Sequence, residues 1–237
     1  MHIKLMTFNT QHCLNFTTRK IDYNVMADVI KKCDADIISL NEMRDKGSDS
    51  EYDAQTQILS EKSGYPFYYF APAILFRGVN PYGNAILSKY QIKSTEVVAI
   101  PSPDVHKYND LYEDRCLLKA VVDINGTALT VYVTHFGLNP DEAENSVREV
   151  LREPIPENMV LMGDFNFTPN SDIIKPIKER FFDTADLFDE DKLTWPSDIP
   201  NKKIDYIFTT KNIKVISADV PAMIASDHRP HTAVIEL

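Results

Sequence analysis

Short apolar runs, each closed by a polar cluster, recur along the chain, and two periodicities sort them into elements. Ile3–Phe8 reads as a strand that delivers Asn9 to its end. Val25, Met26, Val29 and Ile30 then repeat at helical spacing, which predicts an amphipathic helix able to cover a sheet. Ile37–Leu40 predicts the next buried strand, released at Glu42 and Arg44. A second helix carries Ala54, Ile58 and Leu59 and ends at Gly64-Tyr65-Pro66. Phe67–Phe70 and Ala85–Leu87 predict strands, with Phe76–Asn84 as a loop between them; Ile92–Ile100, Cys116–Ile124 and Ala128–Thr134 predict three more. Asn125-Gly126 marks a tight hairpin between the last two.

Asn139 as N-cap, Pro140 at the first helical position and Glu142 completing a capping box announce a helix with Ala143, Val147, Val150 and Leu151 as its stripe. Val160, Leu161 and Met162 form a buried strand that Gly163 ends, so that Asp164 and Asn166 follow at its mouth. Ile173–Ile177 suggests a short helix, and Ile204–Phe208, Val215–Ala218 and His231–Leu237 complete the strands. Hairpins combined with outer helices argue for an α/β protein with two packed sheets.

Composition narrows this picture in four ways. No Gly/Ser tract, Pro-rich linker or like-charge block divides the 237 residues, so a single domain spanning 1–237 is expected. No apolar run is long enough to span a membrane, and Met1–Phe8 reads as a strand rather than a signal peptide. Cys13, Cys33 and Cys116 are odd in number and lack metal-ligand spacing, which points to a reducing, cytoplasmic compartment, although a trimmed export signal would leave no trace. The formal net charge of -10 provides no surplus for a basic stripe and weighs against a long nucleic-acid substrate.

Six polar tips carry the candidate chemistry: TFN at Thr7–Asn9, LNEMRD at Leu40–Asp45, VTHFGL at Val133–Leu138, LMGDFN at Leu161–Asn166, KIDYIF at Lys203–Phe208 and SDHRPH at Ser226–His231. Their order resembles the endonuclease/exonuclease/phosphatase (deoxyribonuclease I-like) superfamily, over essentially the whole chain. Members of that superfamily include deoxyribonuclease I, abasic-site endonucleases, sphingomyelinases and inositol-polyphosphate phosphatases. The opening TFNTQHC looks more like the TYNIHHG start of small bacterial metal-dependent hydrolases than like DNA repair enzymes. Asn41 stands where Gln commonly precedes the catalytic Glu, a change that keeps an amide. The resemblance implies a four-layered α/β/β/α sandwich with its site where loops of both sheets meet.

Phosphodiester hydrolysis needs charge on the phosphoryl oxygens neutralised, a water activated and a leaving alkoxide stabilised. Under the resemblance, Glu42 is the first choice as metal ligand, with Asn9 beside it and Asp227 as a second contact. Oxygen donors without clustered Cys or His suit Mg²⁺, with Mn²⁺ as an alternative. Asp164 would orient or deprotonate the attacking water, and Asn166 would bind phosphate or that water. Asp205 would fix and charge His228, leaving open whether Asp164 or His228 is the base. His135 matches the family's histidine and should donate to phosphate. Arg44, Tyr82, Asn84 and Arg115 are expected on the phosphate side or in support.

The leading expectation is therefore a Mg²⁺-dependent phosphoesterase acting on a phosphodiester of a small molecule or lipid headgroup, and a monomer. The same residues would serve a DNA or RNA nuclease or a phosphomonoesterase. A catalytically inactive binding module is the remaining alternative, and it is disfavoured because Glu42, His135, Asp164, Asn166, Asp205 and His228 are all retained. A zinc pair of His228 and His231 is not expected, since an extended segment through Pro230 turns the two rings apart. Trp195 is left as pocket rim or core, and the Pro101–Tyr112 stretch is the candidate substrate-facing loop.

Overall fold

A computed structural model describes residues 1–188, 190 and 192–237. In chain order the elements are β1 (His2–Asn9), α1 (Tyr23–Cys33), β2 (Ile37–Arg44), α2 (Gln55–Ser63), β3 (Phe67–Phe76), β4 (Asn80–Ser88), β5 (Gln91–Ile100), β6 (Arg115–Ile124) and β7 (Thr127–His135). They continue as α3 (Pro140–Arg152), β8 (Met159–Asp164), α4 (Lys175–Arg180), β9 (Phe182–Asp183), β10 (Asp205–Thr209), β11 (Lys214–Asp219) and β12 (His231–Glu236). One sheet has the strand order β11-β12-β1-β2-β4-β3 and the other β5-β6-β7-β8-β10-β9.

Alternation along the central strands builds the layers. Ile3, Leu5 and Ile37 of the first sheet meet Leu118, Val131, Met162 and Ile207 of the second in a core between the sheets. Their neighbours point the other way. Met6, Phe8, Ile38 and Leu40 pack under Met26, Ile30 and Leu59 of α1 and α2. Tyr132, Leu161 and Phe208 pack under Ala143, Val150 and Ile177 of α3 and α4. Because both faces of these strands are covered, the sequence reads as continuous apolar runs. The result is the expected four-layered α/β/β/α sandwich. No helix among the described residues is long and apolar enough to cross a membrane.

Several expected boundaries move. The stretch Phe76–Asn84 is a hairpin, with a turn through Arg77 and Gly78 at φ 54° and 74°, so Tyr82 and Asn84 sit on β4 rather than in a loop. The helix expected at Ile173–Ile177 begins at Lys175, because Pro176 is tolerated in a first turn but not further in. The strand expected to stop at Gly163 continues to Asp164.

Gly163 itself is required by close approach. Its φ is 150°, and a Cβ there would lie 1.9 Å from the Thr134 carbonyl oxygen. Strain and overlap together should make Gly163→Ala destabilising by about 2–5 kcal/mol, read as a fall in the urea midpoint. An unchanged midpoint would show that β7 and β8 are not held this tightly.

Candidate active site

Strand directions bring the polar tips to one edge. β1 and β2 run parallel, as do β7 and β8, so Asn9, Glu42, His135 and Asp164 all arrive at strand C-terminal ends. β10 is antiparallel to β8, with Asp205 opposite Asp164, and β12 is antiparallel to β1, with His231 opposite Thr7. Their starts therefore reach the same edge, carrying Asp205 and the segment that precedes His231. Arg115 opens β6, which runs antiparallel to β7, and so arrives there as well.

A cavity of about 580 Å³ lies at this edge, with Glu42, Asp164, Asp227 and His228 among its lining residues. His135, Asn166, Arg115 and Tyr82 line it too. Asn9 and Asp205 lie just behind. Asn9 Nδ2 donates to Glu42 Oε1 at 3.0 Å and to Asp164 Oδ2 at 2.9 Å, joining the two sheets' carboxylates through one amide. The Asn166 backbone N–H donates to Asp164 Oδ1 at 2.9 Å, made possible by a left-handed Asn166 at φ 57°.

His228 is held between two carboxylates, with Nδ1 at 2.9 Å from Asp205 Oδ2 and Nε2 at 3.6 Å from Asp164 Oδ2. Burial opposes its charge, but Asp205 and Asp164 outweigh burial and lift its pKa to about 10. The imidazolium is a donor at neutral pH. His135 is the opposite case. Burial, Arg115 and His228 hold its pKa well below the usual histidine value, so it is neutral. Its Nδ1 faces Arg115 Nη1 at 3.3 Å, and its Nε2 lies 3.2 Å from Asn166 Nδ2 and 3.7 Å from Asp164 Oδ2. Burial, then the Asp205 charge, raises Asp164 to about 7 against the pull of His228.

Donor atoms of Asp164, Asp205 and His228 all lie within 4.8 Å of one another, a candidate metal-binding triad among the described residues. One oxygen of this group, Asp205 Oδ1, is buried without a hydrogen-bond partner. The other carboxylates expected at a cation are close by: burial raises the pKa of Glu42, and the Asp227 charge raises it further. The donors are mostly oxygen, which fits a hard divalent cation better than zinc.

Two of the expected residues lie away from the cavity wall. Arg44 does not line the cavity: a bulge between Leu40 and Met43, with Glu42 at φ 60°, breaks the alternation that would have put Arg44 on the same face as Glu42. Its guanidinium lies 4.7 Å over the Tyr52 ring and 3.5 Å from Glu51. Asn84 does not line the cavity either and lies in support behind it. Its Oδ1 accepts from Asn41 at 2.8 Å and its Nδ2 donates to the Cys116 carbonyl at 3.2 Å, both buried between the sheets.

Other cavity residues escaped sequence reasoning. Glu113 lies 3.1 Å from Arg115, and Leu138, Lys202 and Ile204 add walls. Leu138 and Ile204 lie within two of the motifs, Lys202 beside one and Glu113 two residues before Arg115, without a signal of their own. Trp195 lines the cavity, with the Lys202 ammonium 5.0 Å from its ring centre. Within the expected substrate-facing loop, Asp110 and Leu111 reach the cavity. The loop is anchored on α3, where Tyr112 donates to Asp141 at 2.9 Å and Asn139 Nδ2 donates to the Leu111 carbonyl at 3.0 Å. His231 faces away from His228, its Nε2 3.2 Å from Thr184 Oγ1.

Solved structures share this arrangement of strands and helices. An endonuclease/exonuclease/phosphatase from Beutenbergia cavernae superimposes with a TM-score of 0.81 at 22% identity, over 100% of this chain and 72% of its own. One from Bacteroides vulgatus gives 0.79 at 22% identity, over 100% and 99% of the two chains. A mannosyl-6-phosphatase from Bacteroides thetaiotaomicron gives 0.78 at 16% identity, over 99% and 100%. At these identities the likeness is one of fold. No curated protein matches the sequence. The sequence does match the endonuclease/exonuclease/phosphatase family over residues 6–228, which includes all six polar motifs up to His228, and the chain belongs to that family.

Proposed function

We propose that the protein is a Mg²⁺-dependent phosphoesterase that hydrolyses a phosphodiester of a small molecule or lipid headgroup by in-line attack of water. The observation that carries this reading is the double hydrogen bond of Asn9, which sets Glu42 and Asp164 side by side across the two sheets. Glu42, Asn9 and Asp227 would hold the cation. When bound, Mg²⁺ would neutralise phosphoryl charge and stabilise the departing oxygen.

Asp164 takes the proton of the attacking water. The two carboxylates beside His228 favour its charged form, which suits it to donate to a phosphoryl oxygen and supports Asp164 as the base. Asp205 fixes its orientation through Nδ1. His135, its ring held between Arg115 at Nδ1 and Asn166 at Nε2, lines the phosphate cradle with Asn166. Five carboxylates, Glu42, Asp110, Glu113, Asp164 and Asp227, face the cavity against Arg115, Lys202 and His228. A singly charged diester suits such a surface better than a doubly charged monoester. Cys13, Cys33 and Cys116 are free and buried, in keeping with work in the reducing cytoplasm.

The test is a panel of aryl phosphodiesters, glycerophosphodiesters, phosphomonoesters and oligonucleotides, each with Mg²⁺ and with chelator. Diester turnover that stops with chelator is expected. Turnover that ignores the chelator would remove the mechanism, and turnover confined to monoesters or to oligonucleotides would replace the substrate class.

A further inference from the structure

Asn41 is fully buried, carries no charge and lies on no wall of the cavity, yet its carboxamide touches both sheets. Oδ1 accepts the Asp164 backbone N–H at 3.0 Å. Nδ2 donates to the Thr134 carbonyl at 2.9 Å and to Asn84 Oδ1 at 2.8 Å. Asn41 is on β2, whereas Asp164 and Thr134 end β8 and β7. One side chain of the first sheet thus grips the backbone of the second, at Asp164 and at the residue preceding His135. Asn41 also precedes Glu42 within the β2 bulge, and its own carbonyl accepts the Thr10 N–H at 3.2 Å beside Asn9.

We propose that Asn41 is a positioning residue that sets the distance between the Glu42 edge of the first sheet and the Asp164 and His135 edge of the second. Apolar packing between the sheets is non-directional and tolerates small slides, whereas three hydrogen bonds from one rigid amide do not. Both donor and acceptor functions are used. A carboxylate could keep the bond from Asp164 N–H, but it would face the Thr134 carbonyl and Asn84 Oδ1 with no proton to give. A leucine, alike in branching but bulkier and without polar atoms, would leave the Asp164 N–H without its partner.

The proposal rests on Asp164 and His135 acting on substrate, so its test includes a measurement that needs no substrate. Asn41→Leu and Asn41→Asp are compared with Ile37→Ala, a core truncation on the same strand outside the cavity. Expected for the Asn41 variants are a kcat per folded enzyme lowered about 10–100-fold with KM within about threefold, as for a site misplaced without loss of binding. The imidazole ¹⁵N signals of His135 and His228 should shift. Ile37→Ala should lose thermal stability with kcat and both imidazole spectra unchanged. Should Asn41→Leu fail to fold, Asn41→Asp carries the test, since it preserves volume and the bond to Asp164. Folded Asn41 variants with unmoved imidazole signals, or with losses that merely follow stability as in Ile37→Ala, would overturn the positioning role. Shifted imidazole signals in a protein without phosphoesterase activity would leave the clamp standing and remove the functional reading instead.

Discussion

Asp164→Asn should lower kcat about 10²–10⁴-fold while the chain stays folded, the range typical of losing a general base. The substitution is nearly isosteric, so the consequences are electronic. Asp164 accepts from Asn9 Nδ2 at one oxygen and from the Asn166 N–H at the other. An asparagine presents an NH₂ to one of these donors and forfeits that bond. It also removes the charge that faces His228 Nε2 at 3.6 Å and the proton acceptor for water. Because the wild-type carboxyl must be ionised to act and is raised to about 7 by burial and Asp205, kcat/KM should climb as pH rises through that region. A cation bound beside it would move the climb to lower pH. The variant should lose this acid limb along with its rate. Retained turnover in Asp164→Asn, or an unaltered acid limb, would return the base role to another group.

Glu42→Gln is expected to raise the Mg²⁺ concentration needed for half-maximal rate by at least about 10–100-fold, and titration calorimetry on the substrate-free protein should show the same weakening. Burial and the Asp227 charge oppose ionised Glu42 against Asn9, His228 and Tyr82, and a bound divalent cation would add to the groups that favour it. The measurement also separates two donor sets. Asp164, Asp205 and His228 are compact enough to hold an ion by themselves. In the proposed arrangement, however, His228 Nδ1 is already occupied by Asp205 at 2.9 Å. Unchanged Mg²⁺ affinity in Glu42→Gln, with affinity lost in Asp205→Asn, would assign the cation to that triad and not to Glu42.

Arg44 and Asn84 show where sequence reasoning stops. Arg44 stands two positions after Glu42, and an unbroken strand would have put both on one face. The bulge that separates them has no glycine to announce it, only a left-handed glutamate. Asn84 could be read as a substrate group because its two partners, Asn41 and the Cys116 carbonyl, lie 43 and 32 residues away in sequence. The same distance hid Asn41, whose importance rests on backbone atoms of Asp164 and Thr134 in another sheet. Pro176 and the Arg77-Gly78 turn are different. Their signals were local, and they changed only where α4 and β4 begin.

By itself, the sequence determined the element types and two packed sheets with outer helices; the four-layered sandwich followed from the family resemblance. Covered strands must be apolar on both faces, outer helices on one, and those demands act over a few residues at a time. It also determined that polar groups stand at strand ends, and the order of those groups was enough to place the chain in its family. Only the tertiary structure decided which tips share a cavity, which histidine sits between two carboxylates and which asparagine joins the sheets. Those outcomes depend on charges and hydrogen bonds between residues far apart in the chain, as with Asn9 and Asp164 at a separation of 155 residues. Such interactions exist only after strand direction, register and the β2 bulge have fixed every side chain in space.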